Sequence, residues 1–165
     1  YILYNGNLSV DENIKAALFL INEVAIATKG TKWIIAGNAP AKCLYEAAER
    51  AGNVEIIANP TNKGMTQLIT GAAVNILTTF QATGIKRKLL GTLYKGGYCV
   101  VNDKMIESTG LDALCTIANS AGEMRNAIIQ LSSKKINAEE IEERRKVLLD
   151  KYNNNKNITI LTSHL

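Results

Sequence analysis

An α/β fold, with a parallel sheet of about six strands and helices on both faces, is what this sequence predicts. Three observations predict it. Short apolar runs alternate with longer segments of helical periodicity along the 165 residues. Within the runs, neighbouring positions are apolar instead of every second one, as in strands covered on both sides. Glycine, proline, asparagine and serine punctuate the junctions. Elements that alternate in this way give parallel strands joined by crossing helices.

Residues 1–5 form the first expected strand, ending at Gly6, and residues 7–10 read as a loop. Asp11 is the expected N-cap of a helix to about Thr28, with Ile14, Ala17, Leu18, Ile21, Val24 and Ala25 recurring along one face. Residues 33–36 make a second strand broken by Gly37-Asn38-Ala39-Pro40, and residues 41–50 a short helix stopped by Gly52. A third strand spans residues 54–58; Pro60 ends it, and Thr61 or Asn62 caps a helix through about Thr70. The fourth strand is the apolar run 74–79. Residues 83–97 then form a helix that one glycine opens and two close, with Lys86, Arg87 and Lys88 in its first turn. Residues 98–101 are a fifth strand, 102–111 a long polar loop and 115–118 a sixth strand. Ser120 with Glu123 predicts a capping box for a helix to about Ser132. Asn137 or Ala138 starts a last helix, acidic at its beginning and basic afterwards, which suits the helix dipole. A polar stretch, 153–157, precedes apolar residues 158–161 that need cover.

Composition excludes several classes. With 47% hydrophobic and 21% charged residues, the chain is an ordinary globular sequence and not a disordered one. Its net charge of +4 is mild, and the cations are spread over several segments without interleaved aromatics, which argues against nucleic acid as the main partner. Small anions fit better. Cys43, Cys99 and Cys115 are an odd set at wide spacing, so neither a disulfide nor a zinc site is expected. No apolar run approaches the ~20 residues of a membrane span and no signal peptide opens the chain, so a cytoplasmic protein is the default. Because the sequence starts at Tyr1 and enters a strand at once, a piece of a longer protein is expected.

In open parallel sheets, ligands bind beyond the carboxyl ends of the strands, where strand order reverses. The loops to watch are residues 6–10, 37–40, 59–63, 80–86 and 102–110. The segment 83–97 stands out, because a helix N-terminus offers unpaired N–H groups and a glycine there lets a pyrophosphate approach the backbone. A surface helix carrying solvated lysines is the structural alternative. One glycine follows the first strand where G-x-G-x-x-G needs three, and no G-x-x-x-x-G-K-S/T occurs, so an ordinary dinucleotide or P-loop enzyme is not expected. Tyr4-Asn5-Gly6 likewise lacks the acidic cluster of a phosphorylation receiver.

Residues 1–8 (YILYNGNL), 33–40 (WIIAGNAP), 83–90 (TGIKRKLL) and 94–101 (YKGGYCVV) together carry a resemblance that runs over most of the chain and keeps element order. The sequence resembles the Rossmann-like, C-terminal, nucleotide-sugar-binding half of a group 1 glycosyltransferase of the GT-B fold, the retaining family 4 type. This resemblance implies a transferase that moves a hexose from a nucleoside-diphosphate sugar to a glycan or lipid-linked acceptor, with the donor in a cleft against a missing N-terminal domain. It implies no metal and no cofactor, since the nucleotide-sugar is the substrate, and leaves a peripheral membrane association of the full-length protein open. It places Gly6, Asn7, Thr83, Gly84, Ile85, Lys86 and Lys88 at the donor phosphates and sugar, and Gly37, Asn59, Pro60, Thr61 and Gly91 at the nucleoside border. No catalytic residue is assigned; retention by front-face return of the acceptor is implied, as no carboxylate pair suits double displacement.

Two departures stand against the family pattern. Glutamates usual in such transferases, one of them holding the ribose, are replaced by Thr83 and Gly91, and a usual basic pair by Asn7 and Glu12. The alternative reading is therefore a non-catalytic or degenerate α/β nucleotide-binding or interaction module. Glu107, Thr109 and Gly110 lie on a strand-end loop near the expected phosphates; Trp33 and Tyr45 read as packing residues, and His164 lies outside the expected cleft.

Overall fold

A computed structural model describes residues 1–81 and 86–152. Six strands form one parallel sheet: β1 (Ile2–Asn7), β2 (Trp33–Asn38), β3 (Val54–Ala58), β4 (Val74–Leu77), β5 (Tyr98–Val101) and β6 (Thr116–Ile117), in the order β3-β2-β1-β4-β5-β6. The helices are α1 (Asp11–Phe19), α2 (Lys42–Ala51), α3 (Asn62–Gly71), α4 (Arg87–Lys95), α5 (Asp103–Ile106), α6 (Ala121–Ser132) and α7 (Ala138–Lys151). Strand order runs outward from β1 to β3, then reverses through α3 to β4, so the switch point lies between β1 and β4.

Period-two alternation divides each strand between two cores. Ile2, Tyr4, Trp33, Ile35, Val74, Ile76 and Val100 pack with Ala17 of α1, Leu44 of α2 and Met124 of α6 on one face. On the other, Leu3 and Ile34 meet Ile69 of α3, while Leu77, Cys99 and Val101 meet Leu89 and Leu93 of α4 and Leu148 of α7. Burial on both faces explains why the strands read as continuous apolar runs. The expected α/β sheet of six strands covered on both sides is what the chain forms.

Boundaries shift where side-chain contacts outweigh local pattern. Gly6 and Asn7 belong to β1, paired with Gly37 and Asn38, instead of opening a loop; a Cβ on Gly37 would run into the Gly6 carbonyl, so the two backbones meet closely only because Gly37 has none. Asp11 is the first helical residue and not the N-cap; Val10 takes the cap position with no side-chain cap bond, and Asp11 and Glu12 place negative charge on the first turn. The long first helix changes to π geometry over Leu20–Ala25, with the Ile26 N–H donating to the Ile21 carbonyl at 3.2 Å. Strand β4 stops at Leu77 because Asn102 takes up the Thr79 backbone, accepting from its N–H at 3.1 Å and donating to its carbonyl at 2.7 Å. The stretch 102–111 is not a plain loop, for α5 buries Met105 and Ile106. The expected capping box of α6, Ser120 with Glu123, is present; α7 starts at Ala138 with a second box, Asn137 with Glu140, that was not expected, and Thr61 caps α3 by accepting from the Gly64 N–H. Trp33 is fully buried with Nε1 donating to Thr28, whereas Tyr45 is 44% exposed and is no core residue: it lies on the outer face of α2. The apolar segment 158–161 lies outside the described residues.

Candidate functional site

At the switch point the C-terminal end of β1, the turn after β4 and the start of α4 enclose a cleft of about 300 Å³. Gly6 and Asn7 of β1, Glu12 and Asn13 of α1, and Lys86, Arg87 and Lys88 at the start of α4 line it. Local sequence explains the placement. Asn7 closes its own turn, its Oδ1 accepting from Ser9 Oγ at 2.9 Å, and Asn13 Nδ2 donates to the Asn7 carbonyl at 3.0 Å, which fixes the first turn of α1 against the strand end. Lys86 is the N-cap of α4 with extended-to-bridging backbone (φ −77°, ψ 53°) and no side-chain cap bond, so the first-turn N–H groups of α4 are not capped by it.

Lys88 is tied to both β1 and α1. Its Nζ lies 5.0 Å from the centroid of the buried Tyr4 ring and 3.4 Å from Asn13 Oδ1. Burial pulls its ammonium down to about 8; the Glu12 carboxylate opposes this and Lys86 adds to it. Burial first, then the Glu12 charge, keeps the Tyr4 phenol protonated well above its usual range. Glu12 itself reaches across the cleft, accepting from Thr79 Oγ1 and from the Gln81 N–H at 3.1 Å. Just below the mouth, buried Asn5 Nδ2 and Thr78 Oγ1 have no hydrogen-bond partner among the described residues.

Gly6, Asn7, Lys86 and Lys88 are therefore brought together around one cleft. Thr83, Gly84, Ile85 and His164 lie outside the described residues. Gly37, Asn59, Pro60 and Thr61 gather at the ends of β2 and β3, beyond the lining of the cleft; Asn59, in the left-handed region at φ 50°, accepts from the Ala39 N–H at 2.9 Å and ties the two strand ends. Gly91 sits on the second turn of α4, where an added Cβ would meet nothing within 4 Å. Glu107, Thr109 and Gly110 do not line the cleft: Tyr152 and Lys151 at the end of α7 donate to the Thr109 and Gly110 carbonyls. Gln81 and Met105 line it from two of the loops marked in the sequence, 80–86 and 102–110, whereas Asn13 and Thr79 line it without having been singled out, because no motif marks residues that meet only through sheet topology. Among the described residues no group of three or more His, Cys, Asp or Glu could hold a metal ion, and no helix is long and apolar enough to cross a membrane.

Comparison with solved structures places this architecture. The chain has the Rossmann-like α/β fold of the GT-B glycosyltransferases. The particular structures it resembles include a trehalose-6-phosphate protein from E. coli bound with UDP-2-fluoro glucose, at TM-score 0.70 and 13% identity over 98% of this chain and 43% of that one. The α,α-trehalose-phosphate synthase (UDP-forming) of Burkholderia xenovorans, in complex with glucose-6-phosphate, matches at TM-score 0.64 and 12% identity over 91% and 39%. AviGT4, a glycosyltransferase involved in avilamycin A biosynthesis, matches at TM-score 0.64 and 15% identity over 92% and 46%. The chain thus spans less than half the length of these structures. No protein-family model and no curated protein matches it.

Proposed function

We propose that this chain is the donor-binding half of a retaining glycosyltransferase, carrying a hexose from a nucleoside-diphosphate sugar to a glycan or lipid-linked acceptor. An N-terminal domain outside this sequence holds the acceptor, and the donor lies in the cleft between the halves. The observation that carries the proposal is the cleft itself: Lys86, Arg87 and Lys88 at the N-terminus of α4 line it at the strand-order reversal together with Gly6 and Asn7. Structures of the same fold solved with UDP-2-fluoro glucose and glucose-6-phosphate support it.

Departure of a nucleoside diphosphate leaves negative charge developing on the phosphate oxygens. Fixed donors aimed at those oxygens, here Lys88 and the N–H groups opening α4, lower that barrier without reorganising as the bond breaks. Lys86 belongs to the same seat, and Gly6 and Asn7 leave room for the reacting sugar; the resemblance to the glycosyltransferases assigns Thr83, Gly84 and Ile85 to the phosphates as well. The base would rest against Gly37, Asn59, Pro60 and Thr61, with Gly91 beneath the ribose. Glu12 is the acidic residue in the lining and no second carboxylate stands beside it among the described lining residues, so front-face return of the acceptor fits the site better than double displacement. The reading calls for no metal and no cofactor.

Calorimetric titration of the chain with uridine, guanosine and adenosine diphosphates tests this. Sub-millimolar binding of at least one is expected, and Lys88→Ala should weaken it roughly tenfold or more, since a hydrogen bond to a charged group is worth about 1.5–3 kcal/mol. A second reading, a degenerate module that no longer transfers, is favoured by one observation: the Glu12 carboxylate stands inside the cleft where a diphosphate would meet it. Absence of any heat up to millimolar nucleotide decides for that reading.

A further inference from the structure

Away from the cleft, at the β6 edge of the sheet, two of the three cysteines meet. Strands β5 and β6 pair with Val100 beside Thr116 and Val101 beside Ile117, which makes Cys99 and Cys115 lateral neighbours one residue earlier in the register. Neighbouring strands lie about 4.7–4.9 Å apart, inside the roughly 4.4–6.8 Å Cα separation that a disulfide spans. Their side chains share the core cluster under α4 and α7, where Cys99 is 2% exposed and Cys115 is half-buried. A groove of about 380 Å³ between α7 and the β6 edge is lined by both cysteines together with Leu114, Glu140, Glu143 and Arg144.

Arg144 gives the groove its unusual chemistry. Only 5% exposed, it donates through Nη1 to the Gly97 carbonyl at 2.9 Å and through Nη2 to the Gly96 carbonyl, while its buried Nε has no partner among the described residues. Its guanidinium charge acts on both sulfurs. Hydrogen bonding to Cys115, then burial, pushes the Cys99 thiol well above its usual range, so Cys99 waits as a protonated thiol behind the half-exposed Cys115.

We propose that Cys99 and Cys115 form a reversible thiol–disulfide modification site, with a hydroperoxide entering the groove as oxidant. Cys115 sulfur attacks the distal peroxide oxygen; the O–O bond breaks, an alcohol leaves and Cys115 becomes a sulfenic acid. Cys99 sulfur then attacks Cys115 sulfur, the S–S bond forms, the S–O bond breaks, and water leaves carrying the Cys99 proton. The disulfide staples the two-residue edge strand β6 and the turn before it to β5. Cys43, exposed on the outer side of α2, takes no part.

The test oxidises the whole chain with hydrogen peroxide, quenches with an alkylating agent and maps the peptides by mass spectrometry. A Cys99–Cys115 disulfide is expected, with free thiols falling from three to one, full recovery under dithiothreitol, and a higher thermal midpoint for the oxidised form. Cys43→Ser should leave the result unchanged; Cys115→Ser, a mild change at a half-exposed position, should leave Cys99 unmodified. Overoxidation of Cys115 to the sulfinic acid with Cys99 still free, or cross-linking between chains in place of the internal bond, overturns the proposal.

Discussion

Gly91 is the residue at which the chain departs most clearly from the family it resembles, and it is also one of the least constrained. Nothing lies within 4 Å of the Cβ it lacks, and glycine inside a helix costs about 1 kcal/mol against alanine. Gly91→Glu is therefore expected to fold at least as well as the parent and, if ribose lies over α4, to tighten nucleoside diphosphate binding by roughly tenfold, the worth of one charge-assisted hydrogen bond. Titration of the two proteins side by side checks it, with inorganic pyrophosphate, which has no ribose, as the ligand that should not respond. Glu12 invites the opposite change. Its carboxylate accepts from Thr79 and Gln81, and Glu12→Gln keeps an acceptor while removing the charge, so diphosphate affinity should rise severalfold at low salt and less at high salt. Equal affinity for both proteins would place the diphosphate away from α1.

Helix α7 is held to the sheet edge by side-chain hydrogen bonds as well as by its apolar face. Its N-terminus carries the Asn137–Glu140 capping box, Leu148 fills the core beside α4, and Arg144 and Arg145 donate to carbonyls at the end of α4. Arg144→Ala strands the Gly96 and Gly97 carbonyls in a buried pocket and should cost about 3 kcal/mol in chemical denaturation. Asn137→Ala removes only a cap and should cost about 1 kcal/mol. The capping motifs of α3 and α6 were legible because each depends on residues three apart in the sequence. The start of α1 misled for the same kind of local reason: Asp11 has the chemistry of a cap, but the backbone turns one residue earlier, at Val10.

Across the whole molecule, pH couples the cleft to stability. The fold holds the Lys88 proton less tightly, at about 8, than the unfolded chain does at about 10.4. The unfolded state thus binds more protons between those values, so the contribution of Lys88 to stability rises with pH through that window. Cys99 and Tyr4, both pushed upward, work the other way above about 8.5 and 10. Comparing denaturation of the parent and Lys88→Met from pH 7.5 to 10 isolates the lysine: the parent's disadvantage should shrink as pH climbs. Donor affinity has the reverse sign, because the diphosphate needs the ammonium and should be lost above about 8. A parent and a Lys88→Met protein with parallel pH profiles would show that the amine does not carry its charge penalty into the fold.

Element order, the doubly covered sheet, the caps of α3 and α6 and the clustering of cations at the start of α4 were determined by sequence alone, for they rest on periodicity and spacing within a few residues of one another. Which strand lies beside which was decided only in the folded chain. The reversal between β1 and β4 brings Glu12 and Asn13 against Thr79, Gln81 and Lys88, and the pairing of β5 with β6 sets Cys99 beside Cys115. Residues dozens of positions apart leave no mark on each other in a linear pattern; they become a site when hydrogen-bonded strands fix their register and burial changes the free energy of their charges.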